Sequence, residues 1–220
     1  MYDRQIWDRM SMNLKRLKQA EEEFLYRYPG GFDNPEMIEI RKKHKLDKMI
    51  EMTQDAFVKR NFKLPDLIAE NTVKIITRSS LISVFEKPKY RDFVYSLPPD
   101  ERKRLAKGLE GILHGDEQKG FEATVDVLRN GKLAKWSLMT VCQAYFRPQV
   151  EVFVKPTVAK GVIQYFELNQ LHYSPKPTWA FYDGYRTAIN EMKSHVEESL
   201  SLYSIGFTGF LMRSMPERFS

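Results

Sequence analysis

The sequence predicts an all-α protein, a compact body of about nine helices with at most one short extended segment near residues 149–155. Three observations carry this. Apolar residues recur three and four apart along most of the 220-residue chain, the period of one helix face. Proline repeatedly stands just ahead of such stretches, where its missing N–H costs nothing. A β-branched run occurs only at 149–155, and no partner strand follows it.

From the N-terminus, Trp7, Met10, Leu14, Leu17, Glu21, Phe24 and Tyr28 alternate three and four apart, a heptad seam with one acid in it. This predicts an amphipathic helix over 4–28 packed on the main body; the same seam would serve a dimerisation helix. Pro29, Gly30 and Gly31 end it, because neither residue type continues a helix cheaply. The expected division is therefore an N-terminal helix in 1–30 and a main helical domain over 34–220. Asn34–Pro35 supplies an N-cap and a first helical residue for a helix with Leu46, Met49, Ile50, Thr53, Ala56 and Phe57 on one face. Pro65 opens the next, with Leu67, Ile68, Asn71, Ile75, Ile76, Ser79 and Ile82 inward. Pro88 stops that one and starts a short helix carrying Tyr90, Phe93, Val94 and Leu97.

Pro98-Pro99-Asp100-Glu101 is a strong helix start, since acids in the first turn favour the dipole; Leu105, Leu109, Ile112 and Leu113 form its inner face. After a turn at His114-Gly115-Asp116, Phe121, Val125 and Leu128 mark a helix ended by a left-handed cap at Asn130–Gly131. Leu133, Trp136, Thr140, Val141, Ala144 and Tyr145 define a helix that must stop before Pro148. Further helices fit 156–168, 178–197 and 204–214, with an irregular linker at 170–177. In the last of them, Gly206 and Gly209 would let another element approach closely.

The charge is uneven. Of a formal net charge of +6, +4 falls in 132–180, where Lys132, Lys135, Arg147, Lys155, Lys160 and Lys176 meet only Glu151 and Glu167. The same stretch is rich in aromatic residues. A basic, acid-poor, aromatic segment points to an anionic partner, and a pI near 9.2 agrees. One cysteine excludes an intramolecular disulfide and suits a reducing compartment. The N-terminus lacks a signal-peptide core, and no apolar run approaches the roughly 20 residues that span a bilayer. A cytoplasmic protein with no membrane partner is expected.

Lys87-Pro88, Lys155-Pro156-Thr157 and Lys176-Pro177-Thr178 repeat one device. A proline at a helix start leaves the next N–H groups free at the positive end of the dipole, and a lysine ahead of it adds a full charge. Phosphate fits such a place. If the chain folds back after Arg147-Pro148, then Arg147, Lys155, Thr157 and Lys160 share a face. The expected anion-binding set is Arg147, Lys155, Thr157, Lys160, Lys176 and Thr178. Tyr173 and Trp179, in or beside the linker, are the aromatic contacts that would stack on bases.

Other chemistries find little support. None of His44, His114, His172 and His195 has another His or a Cys at metal-ligand spacing. Glu110/His114 and Glu191/His195 read as surface contacts, and Cys142 as a small buried hydrophobe. There is no nucleophile motif of the G-x-S-x-G type. Glu151 and Lys155 lie four apart, about 13 Å along an extended chain, too far for a nuclease pair. No strand precedes Gly108, Gly111 and Gly115, so they do not cradle a phosphate. Arg41 to Lys45 and Arg102-Lys103-Arg104 read as solvated faces with local pairs. No catalytic residue is assigned, and no metal or cofactor is expected. The reading is a non-enzymatic protein that associates with nucleic acid through 132–180; the alternative is an assembly module using the heptad-like N-terminal helix.

Overall fold

The computed structural model describes residues 12–219, which form twelve α-helices, three 3-10 turns and no strand. The helices are α1 (Leu14–Arg27), α2 (Pro35–Lys43), α3 (Leu46–Ala56), α4 (Pro65–Arg78), α5 (Glu86–Ser96), α6 (Pro99–His114), α7 (Glu117–Asn130), α8 (Trp136–Phe146), α9 (Pro156–Tyr165), α10 (Trp179–Ser194), α11 (Glu198–Ser201) and α12 (Ser204–Ser214). The all-α class holds. The count exceeds nine partly because the helix expected after Asn34 splits into α2 and α3 where Lys45 takes φ 52°, and partly because α11 carries no sequence signal of its own.

Helix starts follow local chemistry. Asn34 caps α2 by accepting the Glu36 N–H, Pro35 is its first residue, and Pro65 and Pro99 open α4 and α6. Asp116 caps α7 through the Lys119 N–H. Pro88 sits inside the first turn of α5, which starts two residues earlier at Glu86. The cap after α7 also differs from expectation: Gly131 has φ −92°, and the left-handed residue is Lys132 at φ 56°. Gly131 is needed for another reason, since a Cβ there would lie 2.5 Å from the Phe93 ring.

α6 and α7 form a tight antiparallel pair. A Cβ on Gly120 would lie 2.4 Å from the Ile112 nitrogen, so the missing side chain is what lets the two backbones meet. α8 runs through the core, with Trp136, Val141, Ala144 and Tyr145 buried and the Trp136 indole donating to the Ser174 carbonyl at 2.7 Å, which anchors the linker. α1 buries Leu17, Ala20 and Phe24, and Phe24 meets Phe210 of α12 edge-on at 5.2 Å. Trp7 and Met10 of the expected seam lie outside the described residues.

The segment expected to be extended over 149–155 is shorter: 148–150 form a turn, and only 151–155 run outside helix and turn, pairing with no strand, with Glu151, Val152, Phe153 and Val154 all buried. Buried N–H groups need acceptors. The Glu151 N–H donates to the Arg147 carbonyl at 2.9 Å, Val152 to the Tyr182 hydroxyl of α10 at 3.3 Å, and Val154 to the Thr140 hydroxyl of α8 at 3.0 Å. Side chains of two helices thus replace a sheet neighbour.

Candidate functional site

The first turn of α9 keeps the geometry expected of a lysine ahead of a proline-opened helix. Lys155 is its N-cap residue, Pro156 is first, and the turn holds no acid and no side-chain cap. Lys155, Thr157 and Lys160 are all exposed. The Lys160 ammonium stands 4.9 Å from the centroid of the Tyr173 ring, and Lys176 follows in the same linker, exposed. Among the described residues, none of these three lysines is paired with a carboxylate. Burial against Phe181, whose ring it meets edge-on at 5.6 Å, pushes the Tyr173 hydroxyl pKa upward.

Other members of the expected set are placed differently. Lys176 lies two residues ahead of Thr178, which is the N-cap of α10 and accepts the Phe181 N–H at 3.4 Å. Trp179 is half-buried, edge-on to Phe121 at 5.8 Å, with the Arg186 guanidinium 5.3 Å from its ring. Lys87 and Pro88 are the second and third residues of α5.

Arg147 belongs to a separate cluster. Its guanidinium contacts Glu117 at 2.7 Å and Glu151 at 2.5 Å and donates to the Ile112 carbonyl at 3.1 Å. Arg186 of α10 completes the group, pairing with Glu117 at 2.8 Å, Glu151 at 3.0 Å and Asp183 at 2.8 Å, while the Tyr182 hydroxyl donates to Glu151 at 2.6 Å. Burial works to raise the Glu117 pKa, but hydrogen bonds from Arg186 and Arg147 outweigh it and leave it below the ordinary value. Burial works to lower the Arg186 pKa, and the charge of Glu151 with the bond to Glu117 outweighs that and raises it. Burial, reinforced by Glu151, holds Tyr182 well above the usual phenol range. The charges answer one another across α7, α10 and the 151–155 segment, so the cluster acts as a pin. It borders a shallow hollow of about 690 Å³ with Thr187 and Asn190.

A second, deeper cavity of about 860 Å³ lies among α2, the α2–α3 junction, α9, α11 and α12. Met37, Leu81, Phe153, Val158, Ile205 and Met212 give it an apolar wall, and Tyr145 and Thr208 also reach it. Its charged lining comprises Arg41, Lys155, Arg213, Asp33, Glu197 and Glu198. Lys155 therefore borders both the exposed α9 face and this cavity, whereas Arg147 opens into the other hollow.

Three of the four histidines have hydrogen-bonding partners. His44 Nδ1 is 2.9 Å from the Ser80 hydroxyl, and His195 is 3.4 Å from Glu191. His114 does not pair with Glu110; its Nε2 is 2.8 Å from the Phe57 carbonyl, between the Phe62 and Phe146 rings. Arg104 pairs locally with Glu101, while Arg102 reaches Asp66 on α4. Cys142 is buried and its thiol is pushed up to about 12. No group of three or more His, Cys, Asp or Glu that could hold a metal occurs among the described residues, and none of their helices is long and apolar enough to cross a membrane.

The sequence reading missed Glu117, Arg186 and the cavity. Arg186 follows Tyr182 by four and Asp183 by three, so a shared helix face was the available signal; nothing local ties them to Glu117. No family model, no curated protein and no solved structure matches the chain.

Proposed function

We propose that this is a non-enzymatic cytoplasmic protein that associates with the phosphate backbone of nucleic acid through the outer face of α9 and the linker beside it. The observation that carries the reading is that Lys155, Lys160 and Lys176, on a stretch whose one acid is Glu167, are exposed and without carboxylate partners among the described residues. Elsewhere many of the basic residues are answered by acids, as in Arg16–Glu167, Arg41–Asp47, Lys135–Glu86 and Arg129–Asp126. Thr157 adds a donor in the first turn of α9, and Tyr173 offers a partly exposed ring beside Lys160. Arg147 and Trp179 take no direct part in this reading, because the acid cluster and Arg186 already occupy them.

Fluorescence anisotropy with labelled single- and double-stranded DNA and RNA tests it. Each phosphate contact releases counterions, so affinity falls as salt rises, with a log–log slope near −0.9 per contact on B-DNA and about −0.7 on single strands. Three lysines predict a shallow slope of about −2 to −3 by the same rule. Lys155→Glu/Lys160→Glu/Lys176→Glu should abolish binding. Absence of binding by the wild type at low salt overturns the reading.

A further inference from the structure

We propose that the cavity of about 860 Å³ between α2, α9 and α12 binds an uncharged, largely apolar small molecule. The size falls within the range of roughly 300–1,000 Å³ used by small-molecule sites. Three features of the lining select that chemistry.

The first is how charge and burial divide. Asp33, Glu197, Glu198, Lys155 and Arg213 border the cavity, and all five are exposed. Their charges stay in water, where a pairing gains little, and both signs are present. Arg41 is half-buried, and Asp47 already holds it. The lining that leaves water is mostly apolar: Met37, Phe153 and Val158 are buried, and Leu81, Ile205 and Met212 are half-buried.

The second is that the uncharged polar groups of the lining already have partners. The Tyr145 hydroxyl is 2.9 Å from the Ser79 hydroxyl, and the Thr208 hydroxyl donates to the Ile205 carbonyl at 3.1 Å. The Ser80 hydroxyl is 2.9 Å from His44 Nδ1, and the Ser199 hydroxyl donates to Glu197 at 2.9 Å. A polar or charged atom brought into the cavity gives up its water and finds few groups that need it, which costs binding energy. Apolar surface has no such cost.

The third is Gly209. A glycine inside a helix lowers helix stability, so it usually has a packing reason. Gly206, one turn earlier, has one: a Cβ there would lie 3.3 Å from the Phe32 ring. A Cβ on Gly209 would meet nothing within 4 Å, although Gly209 lines the cavity. No neighbouring side chain or backbone uses the space, and the missing side chain adds directly to the hollow.

The test is calorimetric titration of the full chain with octanol, octanoate and octylammonium, one chain length with three heads. Octanol should bind tightest, because either charged head loses hydration and gains no buried partner. Hexanol should bind about fifteenfold more weakly than octanol, about fourfold for each methylene left out. Gly209→Leu places a side chain into the open space and should weaken octanol by about tenfold or more, one decade in Kd. Gly209→Ala should weaken octanol in smaller measure while raising the melting temperature, since alanine is the better helix residue and its Cβ meets nothing. That combination separates a filled site from a damaged fold and keeps the proposal testable should the leucine variant fail to fold. Both glycine variants should leave nucleic-acid binding untouched, so this proposal and the phosphate-backbone reading fail separately. Wild type that does not bind octanol at millimolar concentration, octanoate or octylammonium that binds as tightly as octanol, or octanol binding that survives Gly209→Leu in a folded variant, overturns the proposal.

Discussion

The carboxylate of Glu21 accepts the backbone N–H of Glu197 at 2.5 Å, across 176 residues of sequence. Glu21 is the acid that interrupts the heptad-like seam, and it is buried, with its other oxygen held by Lys18 at 2.7 Å. The interruption thus fastens α1 to the start of α11. Glu21→Ala would strand a partly buried N–H, at a cost of about 1–3 kcal/mol. Thermal melts should show the loss, and Glu21→Gln, which keeps an acceptor, should recover part of it.

The apolar face of α1 from Leu17 to Phe24 is spent within the chain. Light scattering should accordingly give a monomer mass. A dimer lost on Leu17→Glu in a protein that stays folded would contradict this use of the face.

Thr140 supplies the acceptor for the buried Val154 N–H. Thr140→Val keeps the shape and removes the acceptor, and should destabilise by about 1–3 kcal/mol. Thr140→Ser should be milder. Denaturant midpoints at unchanged m-value are the measurement.

Gly120→Ala should cost about 1–3 kcal/mol, the range for overpacking a filled contact. Its Cβ would meet the Ile112 nitrogen at 2.4 Å and the Gly108 carbonyl oxygen at 2.6 Å, both backbone atoms that cannot rotate aside. Chemical denaturation checks it, and an unaltered midpoint would mean that α6 and α7 separate freely.

The arginine–carboxylate pin makes a pH prediction. The Glu117 pKa is lower in the folded chain than its ordinary 4.5. Its contribution to stability is therefore complete above 4.5 and is lost as pH falls from there through the depressed folded value. Denaturation series from neutral pH downward should show stability dropping in that window, and Glu117→Gln should flatten the drop while lowering stability at neutral pH. Glu151→Ala leaves Arg147 and Arg186 short of their buried partner, a change in the class that costs about 3–5 kcal/mol.

What the sequence made legible was local. Pro35, Pro65, Pro99 and Pro156 mark helix starts because proline acts on its own backbone, and the period of three to four picks out faces such as Leu105, Leu109 and Ile112. The exposure of Lys155, Thr157 and Lys160 belongs to the same local class, since an acid-free helix start has no nearby partner for them. The break at Lys45 was hidden, because a lysine with φ 52° leaves no mark in composition. Arg147 was assigned to the α9 face because chain proximity was the only guide, whereas its partner Glu117 lies 30 residues back and Arg186 answers the same carboxylates from α10. The cavity was invisible for a related reason: Gly206 and Gly209 looked alike, and only the position of Phe32 separates a filled place from an open one.

The thread at 151–154 also sets an order of assembly. Its amide acceptors come from α8, 14 residues earlier, and from α10, 30 residues later, so neither side can hold it alone. A nascent chain that ends before α10 carries Glu151 and Val152 with no Tyr182 to receive them. Such a fragment should remain unfolded through α8, and the Val152 and Val154 amides should exchange hydrogen only when the whole molecule opens.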